Sequence, residues 1–144
     1  MKTYNIAIKD DKWTMSNCNW SSLLYSERRT IMPFIDSKIS VKLTEEKKDS
    51  IKTQLGQAIS IINKPESFLM VGIEDEYDLY MAGKKLDKGA YVQVSLLGQA
   101  SSAAYDKMTA KICEIYQKEL DIPGSNVYVT YHGINDWGWN GRNF

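Results

Sequence analysis

MPFIDSKISVKLTEEKKDSIKTQLGQAISIINKPESFLMVGI, residues 32–73, carries three readable periods in succession. From Phe34 to Val41, Ile35, Ser37, Ile39 and Val41 alternate with Asp36, Lys38 and Ser40. This is the period of a strand with one polar slot, Ser37, on its inner face. Thr44 follows as an N-cap, with Glu45 and Glu46 in the first turn where the helix dipole favours acids. Ile51, Leu55, Ala58, Ile59 and Ile62 then recur at helical spacing until Asn63, Lys64 and Pro65 stop the helix. Phe68 to Ile73 is a short, almost continuous apolar run, which predicts a strand covered on both sides. The stretch therefore reads as strand, helix, strand.

The second half repeats the order. An acidic connection from Glu74 to Asp78, followed by Leu79 to Lys85, carries at most a short strand or turn. Tyr91 to Leu97 alternates with apolar residues in both registers, as a central strand does. Gly98 ends it. Ser101 or Ser102 caps a second helix whose inner face is Tyr105, Met108, Ile112, Ile115 and Leu120, and Pro123 and Gly124 close that helix. Val127 to His132 is the last main strand, and NDWGWNGRNF, residues 135–144, is dense in turn formers and tryptophan. Two βαβ units predict an α+β fold: a four-stranded sheet with parallel pairs and both helices on one face. The other face, with residues such as Tyr91 or Val92, is expected to be covered by self-association.

Composition removes several function classes. The chain has 144 residues, with 18 basic and 18 acidic side chains, so it presents no basic field for nucleic acid. From Met32 onward the balance is 13 basic to 15 acidic. Only Tyr91 stands out as an aromatic suited to an RNA-binding sheet, which argues against an RNA-recognition domain. No apolar run is long enough to span a bilayer, and the start lacks a signal-peptide block, so no membrane is expected as a partner and the cytoplasm is the default location. Cys18 and Cys113 stand alone, and His132 is the single histidine, so neither a disulfide framework nor a metal centre is supplied. Residues 1–31 show no sustained period and are expected to be an extension, either unstructured or a mis-assigned start; 32–144 form the domain. Glu27 to Met32 can be back-translated into a purine-rich ribosome-binding sequence just ahead of an ATG at Met32.

Five pieces in order resemble the macrophage migration inhibitory factor family of the tautomerase superfamily: Met32-Pro33-Phe34-Ile35, Asn63-Lys64-Pro65, Leu97-Gly98, Val127-Tyr128-Val129-Thr130-Tyr131 and Trp137-Gly138-Trp139-Asn140. The resemblance covers Met32 to Phe144. It implies a homotrimer of βαββαβ subunits and a cofactor-free keto–enol tautomerase acting on aromatic α-keto acids such as phenylpyruvate, or on dopachrome derivatives. It also implies that Pro33 is the catalytic base once Met32 is removed. A free prolyl nitrogen is a secondary amine, and an apolar pocket near a cation disfavours its protonated form, whereas a proline inside a chain has only an amide nitrogen. By the same likeness Lys64 holds the substrate carboxylate or steadies the enolate, and the Leu97 N–H binds the carboxylate. Tyr128 enters the pocket from a neighbouring subunit, and Phe34, Trp137 and Trp139 form its apolar wall.

The chain departs from the family in places. Thr130 stands where animal members carry asparagine, at a position that bears on substrate choice, and the segment from His132 to Trp137 is about two residues shorter than theirs. No CxxC lies near Gly89 to Val92, so no redox function is expected. Plainer readings stand beside these roles. Pro33 suits the start of an edge strand, Lys64 suits a helix C-terminus, and Tyr128, Trp137 and Trp139 suit packing. The alternative function is a non-catalytic trimeric ligand of the cytokine type, since members without signal peptides leave cells by unconventional routes.

Overall fold

The computed structural model describes residues 32–143. The expectations for residues 1–31 lie outside them. Strand β1 (Pro33–Ile39) buries every second residue: Ile35 and Ile39 enter the core, and Ser37 fills the polar slot. The slot is matched from across the core. The Tyr116 hydroxyl donates to Ser37 Oγ at 2.6 Å, which satisfies a group that would be costly to bury alone. The strand ends two residues before Val41, because Ser40 turns to bond the backbone of Gly89. Val41 still packs against the core from the connecting segment.

Helix α1 (Glu45–Ala58) starts where Thr44 Oγ1 accepts from the Lys47 N–H. It continues into a 3₁₀ turn, Ile59–Ile62, and stops at Asn63 in the left-handed conformation, φ 57°. All five residues of the predicted apolar stripe are buried. Strand β2 (Met70–Glu74) follows a short 3₁₀ turn, Glu66–Phe68. Then come a two-residue hairpin of β3 (Tyr80–Met81) and β4 (Lys84–Lys85), the central β5 (Ala90–Leu97) and α2 (Ser102–Leu120), capped by Ser101. Strand β6 (Val127–Ile134) completes the main sheet, and β7 (Gly138–Trp139) pairs with β8 (Arg142–Asn143). The two hairpins turn on Ala82–Gly83 and Asn140–Gly141, each pair with both φ positive, which is the turn whose twist matches paired strands.

The sheet order is β2-β1-β5-β6, parallel in the outer pairs and antiparallel between β1 and β5. Residues alternating with one another along each strand share one core with both helices. Two expectations need correction. Val92 is fully buried in that core and does not belong to the open face, because Tyr91, Gln93 and Ser95 take the other side of the pleat. β2 is not covered on both sides either: it is an edge strand, and Met70 is 69% exposed. The open face is mainly polar, with Lys38 pairing with Glu74 at 3.0 Å and Asp36 at 3.5 Å. Among the described residues no helix is long and apolar enough to cross a membrane.

Candidate functional site

The left-handed Asn63 reverses the chain at the end of the first helical segment and sends the next side chain inward. Lys64 is only 6% exposed, quite unlike a solvated helix-terminal lysine. Its Nζ donates to the carbonyl oxygen of Leu97 at 2.9 Å. An ammonium has three donors, and among the described residues no carboxylate pairs with this one. Burial, with nothing to offset it, holds the Lys64 amine below the usual lysine value. A cation so placed attracts an anion, because it has been taken from water without a counter-charge.

Leu97 closes β5, and its backbone is held on both sides. Its N–H donates to the carbonyl of Met32 at 3.1 Å, while its own carbonyl accepts the hydrogen bond from Lys64 Nζ. Gly98, φ 81°, turns the chain away, and its N–H donates to the Ile134 carbonyl at 2.9 Å. The Ala100 N–H donates to the Tyr105 hydroxyl at 2.9 Å. Tyr105 in turn stacks on Tyr131, with ring centroids 4.3 Å apart. The segment from Leu97 to Ala100 is thus fastened to the residue before β1, to β6 and to α2.

Pro33 is buried, opens β1, and lies opposite Leu96 in the β1–β5 register. Pro33, Lys64 and Leu97 therefore meet at one end of the sheet. The aromatic tail reaches the same end. Trp139 meets the ring of Phe68 edge-on, with centroids 6.1 Å apart, and Phe68 lies only four residues beyond Lys64. Gly133 makes this route feasible, since a Cβ there would stand 2.7 Å from the Gly98 carbonyl oxygen. Trp137 is half-buried and Trp139 is exposed. Phe34 is half-buried on the open face, its ring against Gly72 of β2.

Tyr128 and Thr130 are not brought to this end. Tyr128 is 63% exposed and pairs with Tyr91. Gly133 is the β6 residue level with Leu96 and Pro33; Tyr128 lies five positions earlier, or about 16 Å along the strand. Thr130 shares hydrogen bonds with the Tyr91 hydroxyl at 2.9 Å and with His132 Nε2 at 3.0 Å. A surface cleft of about 440 Å³ lies elsewhere, lined by Glu45, Lys48, Asp49, Lys52, Val71 and Ile73, and includes no residue of the Pro33 end. Sequence reasoning missed the Met32 carbonyl as the partner of Leu97, and also the Tyr105 clamp on Ala100. Neither has a local signal, because both depend on the register between distant elements.

A family model described as macrophage migration inhibitory factor matches residues 32–144. The macrophage migration inhibitory factor homolog of Trichinella spiralis is 27% identical over 115 residues, covering 78% of this chain and all of the relative. Among solved structures, a macrophage migration inhibitory factor protein of Leishmania major is similar with a TM-score of 0.74 and 31% identity, over 80% of this chain and 99% of that one. A homologue from Prochlorococcus marinus superposes with a TM-score of 0.70 and 22% identity, over 77% of this chain and 98% of that one.

Proposed function

The chain belongs to the macrophage migration inhibitory factor family, and on that premise we propose that it is a cofactor-free keto–enol tautomerase of phenylpyruvate-like α-keto acids, active when the chain begins at Pro33. The observation that supports this most is the buried Lys64, without a counter-charge among the described residues and bonded to Leu97 at the end of the sheet where β1 begins. A carboxylate is the natural partner for that ammonium, and burial next to a cation keeps a prolyl amine unprotonated.

In this reading the Pro33 nitrogen takes a proton from the carbon next to the keto group. Lys64 holds the carboxylate or the developing enolate oxygen, the Leu97 N–H binds a second oxygen, and the proton is returned to oxygen to give the enol. Nothing is oxidised or reduced, so the residues alone balance the reaction. Phe34, Trp137 and Trp139 would wall the aromatic end of the substrate. Tyr128 and Thr130, too far along the sheet to act within one chain, would reach the pocket of a neighbouring subunit in a homotrimer whose open sheet faces turn inward. Residues 1–31 would then be either absent from the translated protein or removed.

The test is phenylpyruvate tautomerisation by the chain beginning at Pro33, with its mass confirming the start. Activity that falls by about a hundredfold or more in Pro33→Gly, with assembly intact, supports the reading. An inert wild-type chain that still assembles would leave a binding role in place of catalysis.

A further inference from the structure

We infer that the carbonyl of Met32 is an internal plug on the substrate-binding donor of Leu97, so that one cleavage, at the Met32–Pro33 bond, switches on the base and its oxygen-binding partner together. The inference builds on the roles given above to Pro33 and Leu97 and adds how that site is regulated.

The plug is visible as the 3.1 Å bond from the Leu97 N–H to the Met32 carbonyl oxygen. That oxygen belongs to the amide whose nitrogen is Pro33, and amide geometry puts it about 2.3 Å from that nitrogen. The Leu97 N–H is therefore aimed at a point beside the prospective base. Hydrolysis adds the hydroxyl of water to the Met32 carbonyl carbon and a proton to the Pro33 nitrogen, and breaks the C–N bond between them. The amide becomes a secondary amine, and the departing carboxyl takes the acceptor with it. With Met32 in place Leu97 is 2% exposed; once Met32 has left, its N–H has lost its acceptor and is open to water or to a ligand oxygen. Its direction survives the cleavage. Lys64 grips the Leu97 carbonyl and the Ile134 carbonyl holds the Gly98 N–H, and neither bond involves Met32. An incoming carboxylate or keto oxygen takes the vacated point, close to the amine and within the field of Lys64.

A chain that keeps Met32 is consequently blocked twice. It lacks the amine, and its donor is occupied whatever residue stands in position 33. The plug is the same whether translation begins at Met1 or at Met32, because only the last carbonyl before Pro33 is involved. The family match spans residues 32–144, the Trichinella relative is matched over its entire length, and the β1 pairings begin at Pro33, so a chain beginning at Pro33 carries the fold needed for a comparison.

The experiment compares nitrogen-15-labelled full-length chain with chain beginning at Pro33, following amide hydrogen exchange at Leu97 with and without phenylpyruvate. Exchange at Leu97 should be at least about tenfold faster in the chain beginning at Pro33, return toward the slow value with phenylpyruvate, and be unaffected by phenylpyruvate in the full chain. Gly98, held by Ile134, should exchange alike in both and serves as the control for an unchanged fold. The same pair made with Pro33→Gly should show the same unmasking without the prolyl base. Equal Leu97 exchange in the two chains overturns the inference even if tautomerase activity is found. Unmasking at Leu97 with no tautomerase activity overturns the proposed reaction and leaves the plug standing.

Discussion

The Nζ of Lys64 and the carbonyl oxygen of Leu97 lie 2.9 Å apart across a sequence gap of 33 residues, and this bond is what turns a helix end and a strand end into one site. Because the lysine is buried with no acidic partner among the described residues, Lys64→Met should remove ligand affinity and activity, by about a hundredfold, while changing the melting temperature little. Steady-state kinetics and thermal unfolding at neutral pH check the two halves of that statement.

The same lysine predicts a pH dependence of stability. Its folded-state value is held below 10.5, so between the two values the unfolded chain binds more protons than the folded one. Stability therefore rises with pH across that window. Wild type should gain on Lys64→Met as pH approaches 10.5, measured by denaturant unfolding at a series of alkaline pH values.

The Tyr116 hydroxyl and Ser37 form a buried pair. Tyr116→Phe strands the serine hydroxyl and should cost about 1–3 kcal/mol, and adding Ser37→Ala should recover part of it. Burial, the largest cause, raises the Tyr116 phenol to about 12. The folded chain then holds the proton longer than the unfolded one, so this tyrosine's contribution is complete below pH 10 and fades as pH rises from 10 through 12. Urea titrations of the single and double variants at pH 7 and 11 test both points.

Gly133→Ala should push β6 away from the loop after β5, since its Cβ would meet the Gly98 carbonyl oxygen and Gln99 Cγ, both at 2.7 Å. The expected cost is about 1–3 kcal/mol. A larger loss of phenylpyruvate affinity than this stability cost explains is expected, because the same contact guides the chain toward Trp137 and Trp139. Calorimetric binding on the folded variant measures it.

Tyr128 is exposed, so Tyr128→Ala should leave subunit stability within about 0.5 kcal/mol of wild type. If each pocket takes its base from one subunit and this tyrosine from the next, inactive Tyr128→Ala and Pro33→Gly chains refolded together in equal amounts should regain about a quarter of wild-type activity. Mixtures that stay inert would place Tyr128 outside the pocket.

Local chemistry accounts for what was readable in advance. Thr44 and Ser101 cap their helices as their side chains dictate, Asn140-Gly141 turns a hairpin, and Ser37 takes the polar slot on the inner face of β1. The apolar run of residues 68–73 predicts a strand covered on both sides, and the structure places it at an edge. Periodicity reports how apolar a strand is but not where it falls in the sheet, and Met70 stands exposed because β2 came to the edge. The choice of Tyr91 or Val92 for the open face stays undecided in the sequence for a related reason: when both registers of a strand are apolar, alternation alone cannot choose between them.

The sequence by itself determined the order of elements and the two βαβ units, because capping, periodicity and turn preference act over a few neighbouring residues, and its resemblance to the family pointed to the residues around Pro33. Only the tertiary structure decided that Lys64 is buried against Leu97, that Met32 occupies the Leu97 donor, and that Tyr128 lies far from Pro33 within one chain. Those relations are set by the β1–β5–β6 register and by the inward turn at Asn63. Register arises from packing across the whole sheet, where a shift of one residue would exchange the two faces.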